Sequence, residues 1–490
     1  MNIGIVQGQL VSIDCDALIV GLFQDTPLVD SVLSLDQTLS GAIQNLLATQ
    51  DFEGRTGQTS LVYTAGQPKR LLLVGLGKKD EFDLEALRRA VAYSVNKVKT
   101  HQHIVFYYDD IGYLEGAAQA VAETVQLVVY EYQGQKAKPK NEKVVEHFDL
   151  LTASAPVSIE ASVKNGVTIG TAVTTARDLV NLPANICTPA YMAETALTIA
   201  RNSGLRCEIL EEGKMRALKM GALLSVSQGS DTPPRFIILE HNHDKAKELP
   251  TIVLVGKGVT FDTGGYTIKT KEGMATMKGD MAGGAAVIAT LKAVAELNVP
   301  VHVVGLIPSA DNMISGKAYR PQDVFTASNG VTIEIVSTDA EGRMLLADAL
   351  VYASRYKPDA VVDIATLTGG CFIALGGVAA GLFTSDETIK TRLIQAGEQT
   401  FERVWHLPMF KEYRKSLESE TADTKNSGSR AASASVAAMF LQNFVDFPWA
   451  HVDMAGIEAG LSDVPYVPKT ASGYGVRLLT EFVRLWAGAK

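Results

Sequence analysis

Three short segments of this 490-residue chain concentrate residue types able to do chemistry together. The first is Val255-Gly256-Lys257-Gly258-Val259-Thr260-Phe261-Asp262-Thr263-Gly264-Gly265-Tyr266-Thr267-Ile268-Lys269, directly after an apolar run. The second, Met277-Lys278-Gly279-Asp280-Met281, opens an Ala-rich helical stretch, and the third is Ser337-Thr338-Asp339-Ala340-Glu341-Gly342-Arg343-Met344. All three fall at strand–helix junctions, where open α/β sheets place their ligands. Asp339 and Glu341, two apart in extended chain, are expected to point to one side. Four carboxylates brought together without neutralisation repel and raise one another's pKa. Two divalent cations would balance the charges of Asp262, Asp280, Asp339 and Glu341, with Lys257 ligating as a neutral amine.

Each residue alone has a plainer explanation. Asp280 can cap its helix, Glu341 can offset the dipole of the next, and Lys257 can snorkel from a strand end. Other motifs fail on inspection. Val74-Gly75-Leu76-Gly77-Lys78-Lys79 lacks the third glycine of a dinucleotide turn and reads as a strand end. Gly256-Lys257-Gly258 lacks the flanking residues of a phosphate loop, and neither HExxH nor GxSxG occurs. The eight histidines are scattered, and His241 and His243 read as a solvated turn. A metal site in this chain must therefore be built without relying on imidazole.

Ser337–Met344 resembles the Asn-Thr-Asp-Ala-Glu-Gly-Arg-Leu signature of the leucyl aminopeptidase family, the cytosolic dizinc aminopeptidases. The two upstream segments are similar to that family's other motifs, and the resemblance runs from roughly Thr174 to Leu479. It implies that Lys257, Asp262, Asp280, Asp339 and Glu341 ligate two divalent metal ions per subunit, with Asp262 and Glu341 bridging. Zn2+ or Mn2+ are the implied ions, with Mg2+ or Co2+ as further candidates at an exchangeable site. Lys269 would stabilise the oxyanion, and Arg343 would hold a bicarbonate acting as general base, helped by backbone groups of Ala340, Gly342 and Leu367. Met277, Thr366, Leu367 and Gly369 match substrate-binding positions. A water activated between two cations would be the nucleophile. Departures are Ser337 for Asn, Met344 for Leu, Thr263 for Ser, and Ala431-Ala432 where two glycines usually follow an arginine.

The elements that must hold these residues are those of an α/β protein. Asp16–Gly21, Arg70–Gly75 and His103–Tyr108 read as buried strands, Leu84–Val98 and Leu114–Val129 as helices, and Val144–Leu151 as a further strand. The polar, Lys-rich run Lys136–Lys143 reads as a surface loop. Ser158–Val180 reads as one connecting helix, stopped before Pro183. Beyond it, strands at Thr251–Val255, Val301–Leu306, Val331–Val336 and Ala360–Ile364 alternate with helices at Met281–Leu297 and Gly342–Tyr356. Ser427–Ala438 reads as a loop leading into a helix. This predicts an α/β domain over 1–157, a connecting helix over 158–182, and a larger α/β domain over 183–490 with a mixed sheet flanked by helices; the resemblance implies that the first is macro-like and the last catalytic.

Composition narrows the function classes. Hydrophobic residues are 47% and charged residues 20%, with mean hydropathy +0.10, so the chain can fill a globular core. Lys+Arg 45 against Asp+Glu 54 leaves a net charge of −9, which argues against a general nucleic-acid or anionic-membrane binder. Four dispersed cysteines without a CxxC pair suit a reducing compartment. No secretory signal is evident, and the uncharged run Ile364–Ser385, broken by five glycines, reads as strand–loop–strand and not as a membrane span. The expectation is a soluble, cytoplasmic, metal-dependent aminopeptidase acting on peptides, with Leu or Met preferred at the N-terminus. The resemblance adds a homohexamer. Rival expectations are a dimetal phosphoesterase, disfavoured by the lysine ligand and scarce histidines, and a DNA- or ADP-ribose-binding regulator acting through the N-terminal domain.

Overall fold

The computed structural model describes residues 1–136, 144–154, 157–460 and 463–488. The chain forms two compact units, Met1–Thr171 with Asp463–Pro468, and Ala172–Ser462 with Lys469–Lys490. The division falls inside the 25-residue helix Val157–Asn181.

In the first unit, β1 (Asn2–Gln7), β2 (Ala17–Phe23), β3 (Thr59–Tyr63), β4 (Arg70–Gly77), β5 (His103–Tyr107) and β6 (His147–Thr152) form one sheet in the order β1-β6-β5-β2-β4-β3. Only β3 runs antiparallel to its neighbour. The central strands are near-continuous apolar runs because both faces are covered, as parallel sheets require. The helix Leu84–Val98 starts where Asp83 caps it, accepting from the Ala86 N–H at 2.8 Å. Gly75, from the failed dinucleotide motif, is a packing glycine: a Cβ there would lie 2.0 Å from the Arg55 carbonyl oxygen. Apart from Lys136, the Lys-rich run Lys136–Lys143 lies outside the described residues.

The second unit carries β7 (Arg206–Leu210), β8 (Arg235–His241), β9 (Thr251–Gly256), β10 (Gly258–Asp262), β11 (His302–Asn312), β12 (Val324–Thr326), β13 (Thr332–Glu334), β14 (Ala360–Ala365), β15 (Ala380–Thr384), β16 (Val404–His406), β17 (Thr424–Lys425) and β18 (Trp449–Asp453). The main sheet runs β16-β15-β18-β14-β9-β11-β8-β7, with β10 pairing the far end of β11. Its middle strands β18, β14, β9 and β11 are parallel, so their carboxyl ends emerge along one edge. Asp453, Thr366, Lys257 and Asn312 sit at or just past those ends. The helix Ala282–Glu296 is buried almost throughout and packs closely on β9 and β14. Glycine makes that approach feasible: a Cβ on Gly283 would meet the Ile364 carbonyl oxygen at 2.2 Å.

Three expectations need correction. Val331–Val336 supplies no strand to the main sheet; only Thr332–Glu334 is extended, and it sits in a separate sheet of order β12-β13-β17. Ile364–Ser385 contains a short helix, Gly369–Leu375, because Thr368 caps it by accepting from the Cys371 N–H. Among the described residues no helix is long and apolar enough to cross a membrane. His241 is buried at the end of β8, its Nε2 2.9 Å from the Val299 carbonyl oxygen, and only His243 lies in an exposed turn.

The Ala431-Ala432 departure has a backbone consequence. Ala432 precedes the helix Ser433–Leu441 with φ of 53°, in the left-handed region that a Cβ disfavours. Ala432→Gly is therefore expected to stabilise the chain by about 1 kcal/mol. Ala431→Gly, outside that region, should give no gain. Thermal unfolding of both variants checks the contrast.

Candidate metal centre

Asp262, Asp280 and Glu341 converge at the carboxyl edge of the parallel strands, with one oxygen from each within 4.8 Å of the others. All three are buried. Each arrives differently. Asp262 ends β10 at a register irregularity opposite Asn312. Asp280 closes the short turn Met277–Gly279, and Glu341 immediately precedes the helix Gly342–Ala353. Asp339 joins the group from its more exposed side, with 37% of its side chain accessible. The extended geometry expected between Asp339 and Glu341 is absent: Thr338–Asp339 is a turn and Glu341 already has helical φ and ψ. A turn followed by a helix start brings the two carboxylates to the same place.

Two lysines answer this charge. Lys257 Nζ lies 2.7 Å from Asp280 Oδ1 and 2.8 Å from Glu341 Oε1, and donates to the Thr366 carbonyl oxygen at 2.9 Å. Lys269 Nζ lies 2.8 Å from Asp262 Oδ2 and 2.6 Å from Asp339 Oδ1. Burial alone would lower Lys257, but Asp280, Glu341 and Asp262 outweigh it and hold the ammonium form. Lys269 is raised in the same way, burial being outweighed chiefly by Asp262 and Glu341. Burial and the Glu341 charge push Asp262 up to about 6. Asp280 is raised well above its ordinary value by burial, against the pull of Lys257. Glu341, where burial opposes Lys257 and Lys269, comes down to about 2. As an ion-paired ammonium, Lys257 can ligate a cation only by giving up its proton.

Residues with no motif of their own fix this arrangement. Asn312 donates from Nδ2 to Asp262 Oδ1 at 2.7 Å and to the Thr338 carbonyl oxygen at 2.9 Å. Tyr319 donates to that same carbonyl at 2.8 Å. Thr338 Oγ1 donates to the Gly264 carbonyl oxygen and accepts from the Thr267 N–H, clasping the loop that carries Lys269. Asn426 Oδ1 accepts from the Val336 N–H, its Nδ2 donates to the Ser337 carbonyl oxygen, and its own carbonyl accepts from Arg343 Nη1. Asp453 accepts from the Leu367 N–H and from Thr368 Oγ1. Apart from Thr338, which belongs to the third segment, these residues lie outside the three segments in sequence; the only available signal was position just past a predicted strand, and for Asn312 the strand runs six residues beyond its expected end.

The remaining candidates take clear places. Thr366 donates from Oγ1 to Asp280 Oδ1 at 2.8 Å. Met277 and Leu367 are half-buried and Gly369 is exposed. The Leu367 N–H, expected to help hold an anion, is already engaged by Asp453 at 3.1 Å. Ala340 and Gly342 are buried beside Glu341. Arg343 is buried, and its Nε has no partner. Burial pulls its pKa down to about 10 against the nearby acids.

The donor set fits a hard or borderline divalent cation. Asp280 Oδ2 and Glu341 Oε2 are buried without a hydrogen-bond partner, a cost a coordinated cation would relieve. This is a carboxylate-rich site suited to divalent cations on an α/β scaffold.

Comparison with known proteins is consistent along the whole chain. Residues 174–480 match the catalytic domain of the cytosol aminopeptidase family, and residues 19–139 match that family's N-terminal domain. A probable cytosol aminopeptidase of Geobacter sulfurreducens is 41% identical over 495 residues, covering 99% of each chain. One from Roseiflexus castenholzii is 40% identical over the full length of both chains. Among solved structures, a mutant tomato leucine aminopeptidase superimposes with a TM-score of 0.89 at 33% identity, covering 99% of this chain and 96% of its own. The bottromycin maturation enzyme BotP in complex with Mn gives 0.86 at 33% identity, covering 96% of this chain and all of its own. The chain belongs to the cytosol aminopeptidase family. It is a metal-dependent hydrolase of the leucyl aminopeptidase type, which decides against the phosphoesterase and regulator readings as its main activity.

The spacing at Gly342 is testable. A Cβ there would lie 2.7 Å from Lys257 Nζ and 2.5 Å from its Cε, and Lys257 is clamped at both neighbouring carboxylates. Gly342→Ala should cost about 1–3 kcal/mol of stability. Gly369→Ala, where nothing lies within 4 Å, should cost less than about 0.5 kcal/mol. Denaturation curves of the two variants give the comparison.

Proposed function

We propose that Lys257, Asp262, Asp280, Asp339 and Glu341 hold two divalent cations, Zn2+ or Mn2+ in the first instance, and that the site removes N-terminal residues from peptides. The observation that carries this is the buried carboxylate cluster with two oxygens, Asp280 Oδ2 and Glu341 Oε2, left without partners. Bound there, the cations would supply Lewis-acid activation of water at neutral pH. The chain's own groups do the rest. Lys269 lies on the accessible side of the cluster, with 17% of its side chain exposed, where it can donate to a substrate carbonyl oxygen as charge develops. The cluster's negative potential, with Asp280 in particular, draws and orients a free α-amine, so only the first carbonyl comes within reach of Lys269. The unpartnered Arg343 Nε fits an anion such as bicarbonate, held beside Ala340 and Gly342 at a helix N-terminus.

Met277 and Thr366, with Leu367 and Gly369, form the first-residue pocket, and their apolar or small character supports Leu or Met over Asp. The peptidase domain is taken as 183–490, joined through 158–182 to a macro-like domain over 1–157. Relatives named cytosol aminopeptidases support a cytoplasmic placement, and family membership supports a homohexamer.

Lys269→Ala is expected to lower kcat by roughly two orders of magnitude or more while metal content, measured by elemental analysis, stays near two per chain. Loss of both metals in that variant would reassign Lys269 to metal retention. A time course by mass spectrometry on a Leu-initiated peptide tests the exopeptidase reading. Acetylating the amine should abolish cleavage, and lengthening the C-terminus should be tolerated. Equal cleavage of free and acetylated peptide, or an internal cut, would overturn the assignment.

A further inference from the structure

One half-buried acid beside the site takes no part in the chemistry above. Glu458 lies in the turn that follows β18, and its Oε2 is buried without a hydrogen-bond partner. The turn is held on the catalytic edge: the Met454 N–H donates to the Ala365 carbonyl oxygen at 2.8 Å, and the Ala455 N–H to Asp453 Oδ1 at 3.2 Å. Two close approaches locate it further. A Cβ on Gly456, at φ of 89°, would lie 2.1 Å from Phe372 Cδ2, in the helix that begins at Gly369. A Cβ on Gly279 would lie 3.9 Å from Glu458 Cγ. The turn that carries Glu458 thus lies against both the turn that carries Met277 and Asp280 and the helix that opens with Gly369. Those are the elements that supply the pocket for the first residue of the substrate.

Among the described residues none supplies a compensating cation at hydrogen-bond range. The backbone N–H groups of Gly456 and Glu458 reach the carboxyl, and Lys257 acts on it only at a distance while Asp453 opposes it. Lys278, next to Gly279, is committed elsewhere, donating to the Asn181 carbonyl oxygen at 2.6 Å. Burial raises the carboxyl above its ordinary value, the mark of a charge kept from water without full payment in hydrogen bonds. An acid with an enclosed, unpartnered oxygen beside those elements is complementary to a cation brought in by the ligand.

Building on the aminopeptidase reading, we propose that Glu458 is a specificity-determining residue of the first-residue pocket, whose free oxygen receives the ammonium or guanidinium of an N-terminal Lys or Arg. Met277 and Thr366 meet the apolar stem of such a side chain, so Leu and Met also enter but leave the carboxyl unpaired. An N-terminal Asp or Glu brings a second negative charge against it and is rejected.

The test compares kcat/KM for Lys-, Arg-, Leu-, Met- and Glu-anilides in the metal-loaded protein and in Glu458→Gln and Glu458→Met. The readout is the ratio of Lys to Leu, which a partly misfolded preparation leaves unchanged because both rates fall together. The ratio is expected to drop roughly tenfold or more in both variants, with Glu458→Met relatively better on Leu and Met. Competition in the unmodified protein provides a second arm: lysinamide should inhibit Leu-anilide cleavage more strongly than norleucinamide, its uncharged counterpart. A Lys-to-Leu ratio that stays constant across the variants, or stronger inhibition by norleucinamide, overturns the role of Glu458 and leaves the aminopeptidase reading intact. Failure to cleave any free-amine anilide overturns both.

Discussion

Gathering four carboxylates at one strand edge, three of them buried, is the constraint to which the catalytic unit answers. Two like charges about 4 Å apart repel by roughly 4 kcal/mol at the effective dielectric of a protein surface, and more as water is excluded. The cluster therefore survives only with positive charge threaded through it. Lys257 pairs with Asp280 and Glu341, and Lys269 pairs with Asp262 and Asp339, so each ammonium serves two acids. Four acids against two lysines still leave two negative charges. That residue of charge, with two oxygens lacking partners, makes the centre receptive to cations.

Holding such a cluster open is a task for rigid backbone, and the parallel strands provide it. β11, β9, β14 and β18 end together and present Asn312, Lys257, Thr366 and Asp453 in a row. Asn312 steers Asp262, Thr366 steers Asp280, and Asp453 pins the chain just after Thr366. The acids are thus oriented by neutral donors from neighbouring strand ends, whose short side chains lose little entropy on ordering. Glycines at close approaches let the helices come near enough to complete the wall.

The charged members of the site were legible in the sequence because their types are rare at strand ends and their spacing is compact. The central strands were legible for the related reason that buried parallel strands read as unbroken apolar runs, as in Arg70–Gly77 and Thr251–Gly256. What escaped was whatever depends on partners distant in the chain. Nothing near Asn312, Asn426 or Asp453 announces that each holds another segment, since their side-chain bonds to those segments span from 26 to 90 residues. The turn at Thr338–Asp339 escaped because Ile335, Val336 and Ser337 suit an extended chain, whereas the side chains of Asn312, Tyr319 and Asn426 hold the backbone in its observed path. Glu458 escaped because a lone glutamate in a turn is ordinarily solvated, and only the folded chain shows its Oε2 enclosed.

Asn426 ties these observations to a different property of the molecule. Its amide splints Val336 and Ser337, its N–H donates to the Glu334 carbonyl oxygen, and its carbonyl holds Arg343. One asparagine thereby fastens both ends of the segment that carries Asp339 and Glu341. The chain then runs directly from Asn426 through Arg430 to the left-handed Ala432 and into the helix Ser433–Leu441. This stretch is a short mechanical tether, anchored at one end to the catalytic segment and at the other to the buried core. A nick, an inserted residue or a bulky adduct within it would disturb the anchoring on one side of Asn426 only. The catalytic segment would then respond to events on a loop that never touches the carboxylates.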